Sequence, residues 1–350
     1  MGREAIGVAT VPPVPTTARE LLADAEARLA AAGVPTPRVD AELLLAHVTN
    51  RPRALVRMGG DVPGEQVATF EELVTRRASR IPLQHLTGSA PFRRLELAVG
   101  PGVFVPRPET ELLVDEVLTA LSAGPRDAAG RMPIVVDLCT GSAAIALAIA
   151  TEAPGTHLVA IERSADALHW ARCNVAAQAD ALTGARATLD LIEADATTCA
   201  EPGGPLADLA GGVDVVVTNP PYVPDEAVPR EPEVREHDPA LALYGGPDGL
   251  DVVRGLARQA AILLRPGGLF AVEHADVQGE EAGRHGVPGL LREQVLGTVA
   301  GEEAAHERSA VWRDVRDHLD LAGRPRFTTA IRVDSSPRER TQVGGQGEGG

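Results

Sequence analysis

Apolar residues fall on a helical period in the first quarter of the chain. From Thr17 onward, Leu21, Leu22, Ala25 and Leu29 share one face and the pattern stops at Gly33. Thr17 and Glu20 stand three apart, the spacing at which each side chain can cap the other's backbone N–H. A second helix carrying Leu43, Leu44 and His47 is expected from Thr36-Pro37. A later one carries Val67, Phe70, Leu73 and Val74 and stops before Pro82. Residues 15–90 therefore read as a small helical bundle. The period then shortens to two. Phe92, Leu95, Leu97 and Val99, followed by Val103 and Val105 around Pro101-Gly102, predict a hairpin within a linker at 91–110. Pro108-Glu109-Thr110-Glu111 is a helix start, and the stretch 123–132 is a loop.

Beyond Pro133, strands and helices alternate in a second domain, 111–333. Strands are expected at Ile134–Asp137, His157–Glu162, Leu189–Glu193, Val213–Thr218 and Gly268–Glu273. Helices are expected at 143–151, 165–177 and 250–264, and a last strand at Arg326–Val333. That alternation predicts an α/β fold with a parallel, doubly wound sheet. Region 278–318 is too polar to assign. Residues 1–14 and 334–350 are expected to be disordered tails.

Composition sharpens this picture in a few places. Hydrophobic residues make up 44% of 350, enough for sizeable cores. No apolar run reaches the eighteen or so residues that cross a bilayer. The N-terminus lacks a basic-then-apolar signal, so a cytoplasmic location is expected. Net charge is 33 − 49 = −16, and every base is arginine. Such an acidic chain is poorly suited to broad phosphate-backbone binding. With 3% aromatics it also lacks a stacking platform for single strands. Cys139, Cys173 and Cys199 have neither zinc nor disulfide spacing.

Two segments carry chemistry. Val135-Val136-Asp137-Leu138-Cys139-Thr140-Gly141-Ser142-Ala143 ends one strand and opens a helix. Ligands in such sheets bind outside the carboxyl ends of the strands, and small residues there admit close backbone approach. Glu162 ends the next strand, where a carboxylate can accept from two ribose hydroxyls. Asp195 follows the third strand, within reach of an adenine edge. The second segment is Asn219-Pro220-Pro221-Tyr222, directly after Val213–Thr218. The Asn219 side-chain carbonyl and the Pro220 backbone carbonyl can each accept one N–H of a planar NH₂ group. The prolines hold those acceptors in place, and Tyr222 offers a flat face. A plain Pro-Pro turn is the competing reading in a chain with 28 prolines.

Together the two segments resemble class I AdoMet-dependent methyltransferases acting on planar NH₂ groups, whose domain is Rossmann-like. Three further stretches resemble the PrmC/HemK family of release-factor glutamine N5-methyltransferases. They are Pro82-Leu83-Gln84-His85-Leu86-Thr87-Gly88, Phe104-Val105-Pro106-Arg107-Pro108-Glu109-Thr110-Glu111 and the segment Glu233–Leu250. The resemblance covers roughly residues 17–333. It implies methyl transfer from S-adenosyl-L-methionine to the glutamine of a Gly-Gly-Gln motif in class I release factors, gripped by the helical domain. It implies cofactor binding by Cys139, Thr140, Gly141, Ser142, Ala143, Glu162, Asp195, Ala196 and Asn219. Substrate would meet Asn219, Pro220, Pro221 and Tyr222, with Asn219, Pro220 and Tyr222 as the catalytic set. A monomer with no metal, no membrane contact and no direct nucleic-acid binding is expected.

The chain departs from the family where Cys139 and Ala143 replace glycine, Glu162 replaces aspartate, and Ala196 follows Asp195 in place of an aromatic. A ribosomal-protein glutamine methyltransferase, an adenine-N6 methyltransferase and a non-catalytic AdoMet-binding protein remain alternatives. The tail also contains Gly344-Gly345-Gln346, a copy of the presumed substrate motif that most simply reflects a Gly-rich composition.

Overall fold

The computed structural model describes residues 16–123, 131–294 and 310–334. The tails expected at 1–14 and 334–350, with the Gly344-Gly345-Gln346 triplet, lie almost wholly outside the described residues, as do most of the loop 123–132 and part of region 278–318.

Two compact units are present. The first comprises the chain up to Ala90 together with Glu96–Val105 and Val228–Pro239. Its helices are α1 (Ala18–Ala31), α2 (Pro37–Thr49), α3 (Arg53–Met58), α4 (Gly64–Ala78) and α5 (Leu83–Thr87). Thr17 and Glu20 form the expected reciprocal cap, with Glu20 N donating to Thr17 Oγ1 at 3.3 Å and Thr17 N to Glu20 Oε2 at 3.0 Å. Leu22, Leu29, Leu44, Leu45, Phe70 and Val74 are fully buried together. His47 does not join them and is exposed. The buried stripe of α2 is Ala41, Leu44 and Leu45, at i, i+3 and i+4, and His47 falls on its flank.

This unit also buries charge. Arg77 Nε lies 2.7 Å from Asp40 and its Nη1 2.8 Å from Glu233. Arg80 grips the same Glu233 with both Nε and Nη2, at 2.7 and 2.6 Å. The paired guanidiniums take the Glu233 carboxyl down to about 2 even though burial opposes them. Glu233 belongs to the short segment that follows the Asn-Pro-Pro-Tyr loop, so these pairs anchor that segment to the bundle.

Strands Ser89–Phe92 and Leu95–Ala98 form a two-stranded sheet. The hairpin therefore turns at Arg93-Arg94, earlier than the Pro101-Gly102 turn expected from sequence. Arg93 takes a left-handed backbone (φ 54), as tight hairpin turns require.

The second unit contains Pro91–Leu95, Pro106–Ala227 and the chain from Ala240 onward. Counting the short strands β1 (Thr16–Thr17), β2 (Asp61–Val62), β3 (Ser89–Phe92) and β4 (Leu95–Ala98) first, its strands are β5 (Ile134–Leu138), β6 (His157–Glu162), β7 (Thr188–Glu193), β8 (Val213–Thr218), β9 (Leu264–Glu273), β10 (Trp312–Leu319) and β11 (Pro325–Arg332). They form one sheet in the order β10-β11-β9-β8-β5-β6-β7. Neighbours from β9 to β7 pair in parallel, joined by helical crossovers such as α7 (Ala144–Glu152) and α8 (Ala165–Ala177). This is a Rossmann-like arrangement.

The sheet is not wholly parallel. β11 runs antiparallel to both β9 and β10. Only the turn Asp320–Arg324 joins β10 to β11, and so short a connection permits no other pairing. β10 was hidden in the polar region because it is an edge strand lined with charge (Trp-Arg-Asp-Val-Arg-Asp-His-Leu), as edges often are. Its anchor is Trp312, stacked on Phe270 with ring centres 5.4 Å apart. Among the described residues no helix is long and apolar enough to cross a membrane.

Candidate functional site

Parallel pairing puts the carboxyl ends of four strands side by side. Thr218 pairs with Leu138, Leu138 with Ile161, and Glu162 with Glu193. The loops that follow β8, β5, β6 and β7 leave the same edge of the sheet. They span three strand spacings, about 14 Å. Every candidate residue from the sequence lies on one of these four loops or at their strand ends.

After β5 the backbone enters the left-handed region three times in five residues: Cys139 (φ 63), Gly141 (φ 57) and Ala143 (φ 65). Only glycine adopts this conformation without cost. Cys139 and Ala143 are the two positions at which the resembled family carries glycine, and the backbone explains that preference. A Cβ added at Gly141 would meet nothing within 4 Å, so this corner of the loop is open. Ala143 leads into α7 without a side-chain cap.

Asp137 and Thr140 brace the loop from beneath. Thr140 Oγ1 donates to Asp137 Oδ2 at 2.6 Å, and Thr140 N donates to Ile161 O at 3.0 Å. Burial pushes the Asp137 carboxyl up to about 7, with Thr140 and the Ala146 N–H opposing. Asn174 Nδ2 holds Ser142 O at 3.0 Å from α8. Burial also pushes the Cys139 thiol well above its ordinary value, which leaves it a poor nucleophile.

Glu162 is almost fully buried and accepts three backbone N–H groups. Gly141 N reaches Oε2 at 2.9 Å, while Arg163 N and Ser164 N reach Oε1 at 2.9 and 2.8 Å. An ionised carboxylate offers about four lone-pair directions. A ligand donating two hydrogen bonds to Glu162 would therefore have to displace one of these three N–H groups. Asp195 closes a turn of its own, with Oδ1 accepting Thr197 N at 2.8 Å and Thr197 Oγ1 at 2.6 Å. Its Oδ2 lies 4.0 Å from Arg163. The Ala196 side chain is buried in the core, which leaves its backbone as the part that could meet a ligand.

The Asn219–Tyr222 loop is held on both sides. Val223 N donates to Leu243 O and Gly245 N to Val223 O, at 2.8 and 2.9 Å. Gln278 Nε2 donates to Tyr222 O at 3.0 Å. A Cβ at Gly245 would fall 2.6 Å from Pro221 O, so glycine there is what lets the two backbones close up. The family-like segment ending at Leu250 thus serves to clamp this loop. Pro220 and Pro221 are buried. Asn219 Nδ2 donates to Thr110 Oγ1 at 3.2 Å, which leaves the amide carbonyl as its other end.

Sequence reasoning missed what stands behind Asn219. Thr110 is in contact with its Nδ2, and the charges of Glu273 and Arg326 bear on the Tyr222 phenol. Burial pushes the Tyr222 hydroxyl above its ordinary value, and Glu273 adds to the shift. Burial likewise pushes the Glu273 carboxyl up to about 7, against hydrogen bonds from Thr110 and Tyr222 and the charge of Arg326. A signal for Glu273 existed in the sequence: it is a carboxylate closing the apolar run Leu-Phe-Ala-Val. Among the described residues no group of three or more His, Cys, Asp or Glu could hold a metal ion.

A family model described as the PrmC N-terminal domain matches residues 20–88, most of the helical unit. The release factor glutamine methyltransferase of Streptomyces coelicolor is 47% identical over 310 residues, which span 88% of this chain and 96% of that one. Its counterpart from Mycolicibacterium smegmatis is 44% identical over 321 residues, spanning 92% and 100%. This chain belongs to the release factor glutamine methyltransferase family. It is therefore an enzyme, a methyltransferase, and neither the adenine-N6 nor the non-catalytic alternative is favoured.

Proposed function

We propose that this chain transfers a methyl group from S-adenosyl-L-methionine to the side-chain amide nitrogen (N5) of the glutamine in the Gly-Gly-Gln motif of class I peptide chain release factors. The observation that carries the chemistry is Asn219. With Nδ2 engaged by Thr110, its Oδ1 is an acceptor, suited to a substrate that brings N–H. The backbone carbonyl of Pro220 supplies the second acceptor. Tyr222 lies beside the planar amide.

The loop 139–143, Glu162, Asp195, Ala196 and Asn219 would hold the cofactor. The open corner at Gly141 and the buried carboxylate of Glu162 fit a nucleoside with an amino-acid tail. When bound, the cofactor supplies a methyl carbon made electrophilic by its sulfonium. The remaining work falls to the protein. An amide nitrogen is a weak nucleophile because its lone pair is delocalised into the carbonyl. Asn219 and Pro220 hold both N–H bonds and aim the nitrogen, and positioning of this kind lowers barriers by up to about 7–11 kcal/mol. The same acceptors stabilise the positive charge that develops on nitrogen. No side-chain base is needed, because the methylated nitrogen is acidic enough to release its proton to water. No step calls for a metal.

The helical unit would grip the release factor, and the enzyme would act as a monomer in the cytoplasm, where such factors work, without membrane or direct nucleic-acid contact. The test is Asn219→Ala assayed with labelled cofactor on a release factor, a ribosomal protein and DNA. Turnover on the release factor should fall by about 10²–10³, with cofactor affinity by calorimetry less affected. Near-normal turnover would overturn the mechanism. Preferred labelling of the ribosomal protein by the unaltered enzyme would overturn the substrate.

A further inference from the structure

Gln278 ends the short 3-10 turn Asp276–Gln278 just beyond β9, and it is 4% exposed. Its side-chain amide meets three backbone groups. Oε1 accepts from Ala275 N at 3.0 Å, while Nε2 donates to Tyr222 O at 3.0 Å and, more weakly, to Asp248 O at 3.5 Å. A backbone N–H can only donate and a carbonyl can only accept, so these partners admit one orientation of the amide. Gly249 makes room for the contact, since a Cβ there would collide with both Tyr222 O and Gln278 Nε2.

The turn that carries Gln278 is fastened to the sheet on both sides. Upstream, the wholly buried His274 shares a hydrogen bond with Thr328 Oγ1 of β11 at 2.9 Å. Downstream, Glu280 N donates to Asp317 Oδ2 of β10 at 2.6 Å. Gln278 N closes the turn on Ala275 O at 2.9 Å. A buried strut thus runs from a fixed turn to the carbonyl of Tyr222, two residues beyond Pro220. We propose that Gln278 is a positioning residue: by holding the Tyr222 carbonyl it sets where the Asn219 and Pro220 acceptors stand for the substrate amide. The inference rests on the reading of Asn219–Tyr222 as the loop that receives that amide. Backbone bonds at Val223 and Gly245 hold the far end of the loop whatever the side chains. Gln278 instead offers donors, so its hold on Tyr222 can be reversed in polarity with almost no change of shape.

The experiment uses the full chain, labelled cofactor and a release factor. Three variants are compared. Gln278→Glu keeps the shape and the acceptor for Ala275 N, but when ionised it sets oxygen against the Tyr222 carbonyl. Gln278→Met keeps the length and removes both bonds. Trp312→Phe is the stability control. It loses the Nε1 bond to Gln294 Oε1 (2.8 Å) at the end of the β10–β11 pair opposite to Asp317 and Thr328. At pH 8 both Gln278 variants should lose about 10–100-fold in kcat, the scale of a small misplacement of reacting groups, with KM for the release factor and cofactor affinity by calorimetry within about threefold. Trp312→Phe should keep a wild-type kcat at a temperature well below its Tm. A protonated Glu side chain carries an O–H that can donate to Tyr222 O, as the Gln NH₂ does. The kcat of Gln278→Glu relative to wild type should therefore rise several-fold from pH 9 to pH 6, while that of Gln278→Met stays flat. Glu273, His274, Asp276, Glu280, Asp317 and Asp248, the ionisable groups of this turn and of the elements it meets, are common to every protein compared, so the ratio removes their own titration. A wild-type kcat in Gln278→Met, a loss confined to KM, a flat ratio in Gln278→Glu or an equal loss of kcat in Trp312→Phe would each overturn the proposal. Asn219→Ala, run alongside, separates the two levels. If it is inactive while Gln278→Met is normal, the positioning role fails and the acceptor role stands. If it is active, the acceptor role itself fails.

Discussion

Replacing Ala143 with glycine should cost this protein almost nothing, although Ala143 is fully buried. Ala148, one turn further into α7, provides the contrast. Both are alanines with no exposed surface, but Ala148 is helical and Ala143 sits at φ 65, ψ 25. At Ala148, glycine loses helix propensity of about 0.8–1.0 kcal/mol. It also loses a buried methyl worth about 0.8 kcal/mol. The sum is a destabilisation of roughly 1.5–2 kcal/mol. At Ala143 the same methyl is lost, and the freer unfolded chain costs about 0.4–1 kcal/mol more. Against this, glycine relieves the left-handed strain of a Cβ-bearing residue, about 1–2 kcal/mol. The terms nearly cancel. For a unit of this size 1 kcal/mol moves Tm by about 2–4 °C. Calorimetry of the two variants should show a loss of about 3–8 °C for Ala148→Gly and a change within about 3 °C for Ala143→Gly. Equal losses would refute the claim that Ala143 is strained, and with it the account of why glycine suits this loop. Because the Ala143 methyl faces the core, cofactor affinity should change little.

Glu162→Gln would set an NH₂ against backbone N–H groups that now meet a carboxylate, leaving at least one buried donor unpaired. A stability loss of about 1–3 kcal/mol in denaturant, with weaker cofactor binding by calorimetry, is expected, and no change in either would contradict the role given to this carboxylate. The pH dependence of stability has a defined sign. Asp137 and Glu273 stand at about 7 in the fold, raised by burial above the ordinary carboxylate range. Their contribution to stability is complete below the unfolded values near 4 and is lost as pH rises through about 7. Glu233, lowered to about 2 by Arg80 and Arg77 against the pull of burial, acts the other way and weakens the fold only below about pH 4. The Tm of the sheet unit should therefore fall between pH 5 and 8, and less steeply in Asp137→Asn; parallel profiles for the two proteins would count against the assignment.

Much of this molecule is local in origin and legible in the chain. Strands β6 and β8 and helix α8 begin and end where the apolar periodicity says they should, because each is specified by its own neighbours. The segment Asn219–Tyr222 could be placed at the carboxyl edge of the sheet for the same reason: it directly follows an apolar strand. Helix α2 shows where local reading weakens, since His47 and Leu45 both fit a helical pattern and only packing chose between them. β10 was illegible because an edge strand need not look apolar to be a strand. The left-handed backbone at Cys139 and Ala143 was also out of reach, for a chain carrying cysteine and alanine gives no sign that the fold will demand a glycine-like conformation there. Most decisive for the chemistry is the group behind Asn219. Thr110 and Asn219 come from separate stretches of chain, and which end of the Asn219 amide is engaged is decided by the contact between them. That question has no answer until the sheet has closed and water has been excluded, so it belongs to the tertiary structure alone.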